Sequence, residues 1–265
     1  MKRALAAEIT VATVVLLPLI VAGCGGGGSA SSGASSSGSS DTHTSSGPPF
    51  PKAAAQTAAQ QALLTISDFP SGWSTSKDGS GNDSSDKKFD QKLADCLHAP
   101  AGLLGQGGAN SADADSPDFD SPDGDTTISE TVSVAQADRV DQLFTVLKQN
   151  NATECLSTTF NDYLKQELAK TNDPEVKQAT IGQIQVGQLS TGHYGDDTVA
   201  MRATLPVTAK GLTVNVYLDL LFVQHDNAVA SLTFESEGTP VNSPTTDKYA
   251  QLATDKLTRT TFPTA

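Results

Sequence analysis

Basic residues are scarce in this chain of 265 residues. Lysine and arginine together number 17, against 30 aspartates and glutamates, and the formal net charge at pH 7 is −13. Proteins that bind nucleic acid or lie flat against anionic lipid headgroups do so with clustered positive charge. The charge balance therefore excludes nucleic acid as a partner, and it excludes wide electrostatic contact with a membrane surface.

Aromatic residues, cysteine and histidine are also rare. Phe, Trp and Tyr make up 5% of the chain and Trp73 is its only tryptophan, so the predicted core is mainly aliphatic. There are three cysteines and four histidines. Two cysteines without neighbouring histidines do not make the four-ligand shell of a structural zinc site. We expect neither a metal nor a cofactor.

The longest apolar run is too short to span a membrane. It covers Ile9–Ala22, which is 14 residues, whereas a spanning helix needs about 20. The run follows Lys2 and Arg3, and a short apolar run behind a positive start is typical of an export signal. We therefore predict that residues 1–23 are a signal peptide rather than part of the fold.

The segment Val21-Ala22-Gly23-Cys24 resembles a bacterial lipobox, in which a branched residue and two small residues precede a cysteine. The resemblance implies that a peptidase removes residues 1–23 and that Cys24 becomes the lipid-carrying N-terminus. The lipid would then hold the protein at the extracytoplasmic face of the cell membrane. The alternative is an ordinary signal peptide with an incidental cysteine.

Residues 24–51 are predicted to form a tether. Gly25–Gly47 is mostly glycine, serine and alanine, a composition too polar and too flexible to fold. Two prolines, a phenylalanine and a further proline at residues 48–51 mark where this flexibility ends. Residues 52–265 are then within the size range of one domain, which we expect to be a monomer.

Two cysteines remain once Cys24 is acylated. Cys96 and Cys155 would then be an even pair in an exported protein, where the surroundings are oxidising. We predict a Cys96–Cys155 disulfide. The alternative is two free, buried thiols.

Period-two alternation of apolar residues predicts two β-hairpins in residues 198–236. Folding the first about residues 208–211 and the second about residues 225–227 puts every apolar residue on one face, as a consistent register requires. The predicted pairs are Met201–Leu218, Ala203–Val216, Leu205–Val214 and Val207–Leu212 in the first hairpin, and Leu218–Phe234, Leu220–Leu232 and Phe222–Ala230 in the second.

Helical spacing of apolar residues recurs along the rest of the chain. The predicted helices cover residues 52–66, 86–99, 140–147, 155–168 and 243–257, and further strands are predicted at residues 128–134 and 176–186. The result is an α+β domain, with an antiparallel sheet of about five strands and helices packed mainly on one face.

Four segments carry a resemblance to known proteins: DFPSGW, FDQKLADCL, SPDF and YGDDTVAMR. They resemble a group of actinobacterial exported lipoproteins over Leu63 to about Leu257. The order of elements is similar to the extracellular sensor domains of mycobacterial serine/threonine kinases and to PsbP-like domains. These resemblances imply an α+β fold and bring no catalytic residues.

An acidic segment, DADSPDFDSPDGD, carries six aspartates between Asp113 and Asp125. Alternating aspartates can supply oxygens to calcium, but the spacing fails the EF-hand pattern, because Pro122 stands at its fifth position and Gly124 falls one residue late. We expect Ala101–Asp125 to be a solvated loop.

The histidines do not predict catalysis. His43 lies in the tether, His98 ends a short helix, and His193 and His225 lie in turns, where His225 has no fixed partner. A serine nucleophile would need a sharp turn of the GxSxG type, and the folded part contains none. We expect the protein not to be an enzyme.

The predicted binding site is on the polar face of the sheet. In the register above, Arg202 is across from Tyr217 and diagonal to Asp219, and these three side chains could orient a polar ligand. The alternative is an ordinary exposed salt bridge, worth little. Loops around Trp73 and Tyr194 are further candidates, although Trp73 could equally fill the core.

We therefore expect a membrane-anchored, extracytoplasmic, non-enzymatic binding or sensing domain for an envelope component, a small ligand or a protein. An alternative is a carrier of apolar envelope lipids, which would need a cavity between the sheet and the helices. A cell-envelope hydrolase is a third hypothesis.

Overall fold

The computed structural model describes residues 49–76, 84–100, 102–104, 110–172 and 177–264. The predicted signal peptide, Cys24, His43 and the tether as far as residue 48 lie outside the described residues. Five helices and nine strands are present within the described part. The helices are α1 (Lys52–Ala62), α2 (Ser84–Leu97), α3 (Ala137–Leu147), α4 (Ala152–Lys170) and α5 (Ser243–Arg259). The strands are β1 (Ser74–Ser76), β2 (Ser111–Asp115), β3 (Asp118–Asp120), β4 (Thr126–Ala135), β5 (Thr180–Ile181), β6 (Gln185–Gln188), β7 (Asp197–Ala209), β8 (Leu212–His225) and β9 (Ala228–Glu237).

All the strands belong to one antiparallel sheet. The order is β1-β3-β4-β9-β8-β7-β5, with β2 also paired to β4 and β6 also paired to β7. The α+β class is confirmed, and the sheet is larger than the five strands expected. The predicted strand at residues 176–186 is instead divided between β5 and β6, which pair separately with β7.

The register of the first hairpin differs from the prediction by two residues. A two-residue turn at Lys210 and Gly211, both with positive φ, joins the strands and pairs Met201 with Leu220. Positive φ at both turn positions is the geometry that suits tight hairpins. Because the shift is even, the apolar residues keep their face, but Arg202 now lies directly across from Asp219.

The register of the second hairpin differs by one residue, which changes the fold more. The turn contains Asp226 and Asn227, with positive φ at Asp226 rather than at the expected Asn227. Leu221 therefore pairs with Leu232, and Asp219 pairs with Phe234. A shift of one residue moves every side chain of a strand to the other face. The apolar residues of β9 thus point away from those of β7.

Two cores result, one on each face of the sheet. The first lies under α2, α3 and α4 and contains Met201 and Leu220. The second lies under α1 and α5 and contains Leu221 and Phe234. Three helices thus cover one face of the sheet and two cover the other. The polar face, which the predicted register left without helices, is covered by α1 and α5.

The chemistry of α1 and α5 suits this covering role. Four alanines of α1, which are Ala55, Ala58, Ala59 and Ala62, repeat at helical spacing and are buried, so the helix approaches the sheet closely. Helix α5 is capped at its N-terminus by Asn242, whose side chain accepts a hydrogen bond from the Thr245 N–H, and Pro244 follows in the first turn.

The acidic segment is not the solvated loop that was expected. It contains the strands β2 and β3, which pair with successive parts of β4: β2 with residues 131–135 and β3 with residues 127 and 128. In β2 the alanines 112 and 114 are buried towards the second core, while Asp113 and Asp115 face the other way. The period-two alternation SADAD is therefore the pattern of a strand with one apolar face.

The Cys96–Cys155 disulfide is confirmed. Cys96 lies in the last turn of α2 and Cys155 in the first turn of α4, with their Cα atoms 5.7 Å apart. The bond joins two of the three helices that cover the first core.

Candidate ligand-binding cleft

The structure brings Arg202, Asp219 and Tyr217 together, as the sequence predicted, but in a different arrangement. The Arg202 guanidinium donates to both carboxylate oxygens of Asp219, with Nε–Oδ1 at 2.5 Å and Nη2–Oδ2 at 2.6 Å. Asp219 is 1% exposed. The hydrogen bond to Asp219 raises the pKa of the guanidinium. The Tyr217 ring centre lies 5.9 Å from Arg202 Cζ.

The donors of Arg202 are therefore directed at a buried partner. Bidentate pairs of this kind combine two charge-assisted hydrogen bonds in a fixed geometry. The pair supports the fold, and a ligand would have to compete with Asp219 for the same donors. Binding at this face stays a prediction.

Trp73 and Tyr194 both pack against the second core. The Trp73 ring is half-buried, with its centre 4.9 Å from that of Phe69 and 6.1 Å from that of Tyr249. Tyr194 is buried and donates its hydroxyl to Asp247 Oδ1 at 2.6 Å. Burial, followed by the Asp247 hydrogen bond, raises the pKa of Tyr194. Each residue has a packing role, and ligand binding there also stays a prediction.

A cleft that the sequence did not locate lies on the other face of the sheet. It is a cavity of about 270 Å³ between α2, α3 and α4 on one side and β2, β4, β8 and β9 on the other. The helical wall is mainly apolar, with Asp90 of α2 and Arg139 of α3 as its charged residues. Its other residues are Phe89, Leu93, Val140, Leu143, Leu147, Leu156, Phe160 and Tyr163.

The sheet wall of the same cleft is mainly polar along β2 and β4, whereas β8 and β9 add the apolar residues Leu220, Phe222 and Val229. Strands β4 and β9 give their apolar residues, such as Ile128 and Leu232, to the second core. Because side chains alternate along a strand, the hydroxyl-bearing residues between them face the cleft. The polar residues of this wall are Ser111, Asp113, Asp115, Ser129, Thr131, Ser133, Ser231 and Thr233.

The charged groups at the cleft are mostly acidic. Asp90, Asp113 and Asp115 contribute carboxylates, and Arg139 contributes the one guanidinium among the described lining residues. That guanidinium donates to the Gly102 carbonyl. Asp115 Oδ1 accepts from Thr131 Oγ1 at 2.8 Å. Burial raises the pKa of Asp115, which the hydrogen bond from Thr131 partly opposes.

Aromatic packing and the disulfide hold the helical wall together. The Phe89 ring of α2 lies 5.1 Å from Phe160 and 5.7 Å from Tyr163, both on α4. The disulfide joins the same two helices. Helices α2 and α4 of this wall are therefore held directly against each other.

Two further carboxyl groups are buried in the sheet. Glu130 extends from β4 towards the second core, where its Oε2 accepts the Leu64 N–H at 2.5 Å. Burial raises its pKa to about 8. Burial, together with the negative charges of Glu237, Asp118 and Asp120, also raises the pKa of Glu235 to about 8. Both groups are protonated in the folded protein at neutral pH.

The described histidines lie outside the cleft lining. His98 and His193 are exposed. His225 has a fixed partner, contrary to the prediction, since its Nδ1 lies 3.3 Å from Asp196 Oδ2. Within the described ranges, no group of three His, Cys, Asp or Glu residues could hold a metal ion. None of the helices in these ranges is long and apolar enough to cross a membrane.

The fold and the cleft define an α+β domain with a ligand-sized cavity between its sheet and three helices. No protein-family model matches the chain, and no curated protein matches its sequence. The extracellular domain of PknH from Mycobacterium tuberculosis is 14% identical, with a TM-score of 0.37 over 80% of this chain and 98% of that chain. LpqN from the same organism, a protein involved in cell envelope biogenesis, is 11% identical, with a TM-score of 0.22 over 53% of this chain and 68% of that chain.

The predicted resemblance to mycobacterial kinase sensor domains is thus confirmed as a distant structural similarity. Membership of the actinobacterial lipoprotein group and the resemblance to PsbP-like domains stay predictions. Sequence identities and TM-scores this low describe distant similarity of fold alone. The function proposed below therefore rests on the cleft.

Proposed function

We propose that this protein is a membrane-tethered, extracytoplasmic, non-enzymatic binding domain whose cleft takes a small amphiphile. The observation that carries the proposal is the pair of unlike walls. Leucine and phenylalanine side chains line most of the helical side. Serine, threonine and aspartate side chains line most of the sheet side, next to the apolar Leu220, Phe222 and Val229. A molecule with an apolar chain and a polar headgroup satisfies both walls at once.

The apolar wall supplies the binding energy. Each CH₂ group of a ligand that moves from water to an apolar surface gains about 0.8 kcal/mol. A wholly apolar ligand would lose part of this gain, because it would cover the hydroxyl and carboxylate groups of the sheet without hydrogen bonding to them. The polar wall therefore favours an amphiphile over a pure hydrocarbon.

The size of the cavity limits the ligand. Pockets for small molecules typically range from about 300 to 1,000 Å³. At about 270 Å³, this cavity suits one short chain with a compact headgroup rather than a lipid with several long chains. The hypotheses of a binding domain and of an apolar lipid carrier thus converge on a receptor for a single-chain amphiphile.

The proposed location would bring the cleft close to a membrane, where amphiphiles occur. The signal-like residues 1–23 and Cys24 support export and lipid anchoring. The disulfide is typical of an oxidising, extracytoplasmic compartment. A lipid anchor on a flexible tether would keep the domain beside the membrane, which is the source of amphiphiles.

Displacement of a neutral fluorescent dye tests the cleft directly. N-phenyl-1-naphthylamine, which brightens in apolar surroundings, should bind the protein and be displaced by decyl maltoside below its critical micelle concentration. Thr233 lines the cleft from the centre of β9, opposite Ser129. Thr233→Trp should fill the cavity and reduce dye affinity by at least about tenfold, which corresponds to the loss of roughly two buried CH₂ groups.

The matched control is Thr213→Trp, the same change at an exposed residue of β8 outside the cleft. It should leave dye binding unchanged. If Thr233→Trp does not fold, as judged by thermal melting, Ser129→Trp replaces it. The proposal is wrong if the folded wild type does not bind the dye, or if a folded cleft-filling variant binds it as well as the control does.

Native mass spectrometry of protein extracted from its own membrane provides a second test. Protein that retains an amphiphile should show an added mass that is lost in Thr233→Trp and kept in Thr213→Trp. An added mass present equally in both variants would place the ligand outside the cleft.

A further inference from the structure

The polar wall of the cleft is most acidic along β2. Ser111, Asp113 and Asp115 alternate with the buried alanines 112 and 114, so their side chains lie on one face at intervals of about 7 Å. All three line the cavity. They form a row of oxygen atoms opposite the apolar helices.

The Ser111 hydroxyl is a second, independent observation that points to a ligand. The residue is 5% exposed, and its hydroxyl has no hydrogen-bond partner among the described residues. Buried polar groups in native proteins are hydrogen-bonded with few exceptions, and an exception calls for an explanation such as a missing ligand or water. A hydroxyl that lines a cavity can be satisfied by whatever occupies that cavity.

The charges select among possible headgroups. Four acidic residues line the described part of the cleft: Asp90, Asp113, Asp115 and Glu130. The Glu130 carboxyl is directed at the Leu64 N–H, and the one guanidinium, that of Arg139, donates to the Gly102 carbonyl. The chain as a whole carries −13 charges. An anionic headgroup would be repelled both by the cleft and by the whole molecule, whereas a cationic headgroup would be attracted.

Headgroup size narrows the choice further. The cavity of about 270 Å³ must hold the chain as well as the headgroup. An ammonium group is compact and presents several donors, and the row on β2 presents acceptors. Hydrogen bonds between an ammonium and carboxylates are also stronger than those between neutral groups.

We propose that the cleft selects single-chain amphiphiles with a compact, hydrogen-bond-donating cationic headgroup, which Ser111, Asp113 and Asp115 of β2 bind. The apolar chain lies along α2, α3 and α4. This inference rests on the proposed amphiphile-binding function and deepens it by naming the headgroup.

Displacement of N-phenyl-1-naphthylamine by matched decyl compounds tests the headgroup. The competitors are decylammonium, decyltrimethylammonium, decyl maltoside and decyl sulfate, each below its critical micelle concentration. The affinity of decylammonium should be about tenfold higher than that of decyl maltoside. A difference of this size corresponds to one hydrogen bond to a charged group. Decylammonium should also exceed decyltrimethylammonium, which has the charge but no donor, and decyl sulfate should compete least.

The double variant Asp113→Asn/Asp115→Asn tests the residues. It keeps the shape of the side chains and removes two negative charges, so the preference for decylammonium over decyl maltoside should fall to about threefold or less, since each charge-assisted bond becomes a neutral one. Asp125→Asn/Asp255→Asn removes two charges outside the cleft and should keep the full preference.

Ser111→Ala should weaken decylammonium binding without lowering the melting temperature of the ligand-free protein, because the hydroxyl has no partner to lose.

The outcomes distinguish this inference from the proposed function. Equal competition by all four compounds, or strongest competition by decyl maltoside or decyl sulfate, overturns the cationic headgroup and leaves amphiphile binding standing. The same holds if decyltrimethylammonium competes as well as decylammonium, or if the control double variant loses the preference. Failure of the dye and of every decyl compound to bind folded wild-type protein overturns both.

Discussion

Replacement of Glu130 by glutamine should make the free energy of unfolding less dependent on pH. Glu130 is 2% exposed and its Oε2 accepts the Leu64 N–H, while its Oε1 has no hydrogen-bond partner in the described part of the chain. Burial raises its pKa from 4.5 to about 8. At pH 7 the folded protein therefore holds a proton on this group that the unfolded chain has released.

The direction of the effect follows from proton linkage. Between pH 4.5 and about 8 the folded state binds more protons than the unfolded state does, so the free energy of unfolding falls as the pH rises. The slope for one such group is about 1 kcal/mol per pH unit. Glutamine resembles the protonated acid but does not titrate. Relative to wild type, Glu130→Gln should gain on the order of 3 kcal/mol between pH 5 and pH 7.5.

Urea unfolding followed by the fluorescence of Trp73 measures this difference at pH 5, 6, 7 and 8. Trp73 is the only tryptophan and packs against the second core, so its emission reports the loss of that core. Glu154→Gln, a change at an exposed residue of α4, is the matched control and should keep the wild-type pH dependence. The reasoning is refuted if Glu130→Gln keeps the wild-type slope, or if it changes stability equally at pH 5 and pH 8.

Three other changes have expected outcomes. Replacing Cys96 and Cys155 with serine opens a loop with a sequence separation of 59 and should lower the free energy of unfolding by about 4 kcal/mol in urea titrations; an unchanged midpoint would contradict this. Arg202→Ala leaves Asp219 buried without its ion-pair partner and should cost about 3 kcal/mol while cleft binding of the dye persists; loss of binding in a stable variant would favour the site first predicted on that face. Cys24→Ala should leave an uncleaved, unacylated precursor in intact-mass measurements, and a normally processed chain would contradict lipidation.

The sequence predicted those elements whose pattern is local. Alternation along β7 and the first part of β8 correctly identified the face that packs on α2, α3 and α4, and the even error in their register left that face unchanged. Helical spacing located all five helices to within a few residues. The disulfide followed from the number of cysteines and the expected compartment.

The second hairpin shows where local pattern was insufficient. Its turn is two residues long, and Asn227 donates its side-chain N–H groups to the carbonyl oxygens of Ala135 and Pro263, both at 3.0 Å. These partners are 92 and 36 residues away in the chain. The apolar pattern of β9 was compatible with the predicted three-residue turn as well as with the observed two-residue turn. Contacts between residues so far apart in the sequence form only in the folded protein, and they distinguish the two turns.

One clue to the second core was nevertheless present in the sequence. Leu220–Val223 is apolar at four consecutive positions, a pattern typical of a strand buried on both faces rather than on one. The alternation of alanine with serine and aspartate in residues 111–115 likewise indicated a strand rather than a loop. Reading both patterns together would have predicted a sheet with two covered faces.

The sequence by itself determined the α+β class, the pairing of Cys96 with Cys155, and the apolar face of β7; export and lipidation at Cys24 stay predictions from sequence alone. The tertiary structure decided where the cleft is and what lines it. Because the second core takes the apolar side chains of β2, β4 and β9, the polar side chains of those strands are left opposite the apolar helices of the first core. The face on which the apolar side chains of β9 lie depends on its register with β8, and the observed register differs by one residue from the predicted one. Long-range packing, not local spacing, selects the observed register.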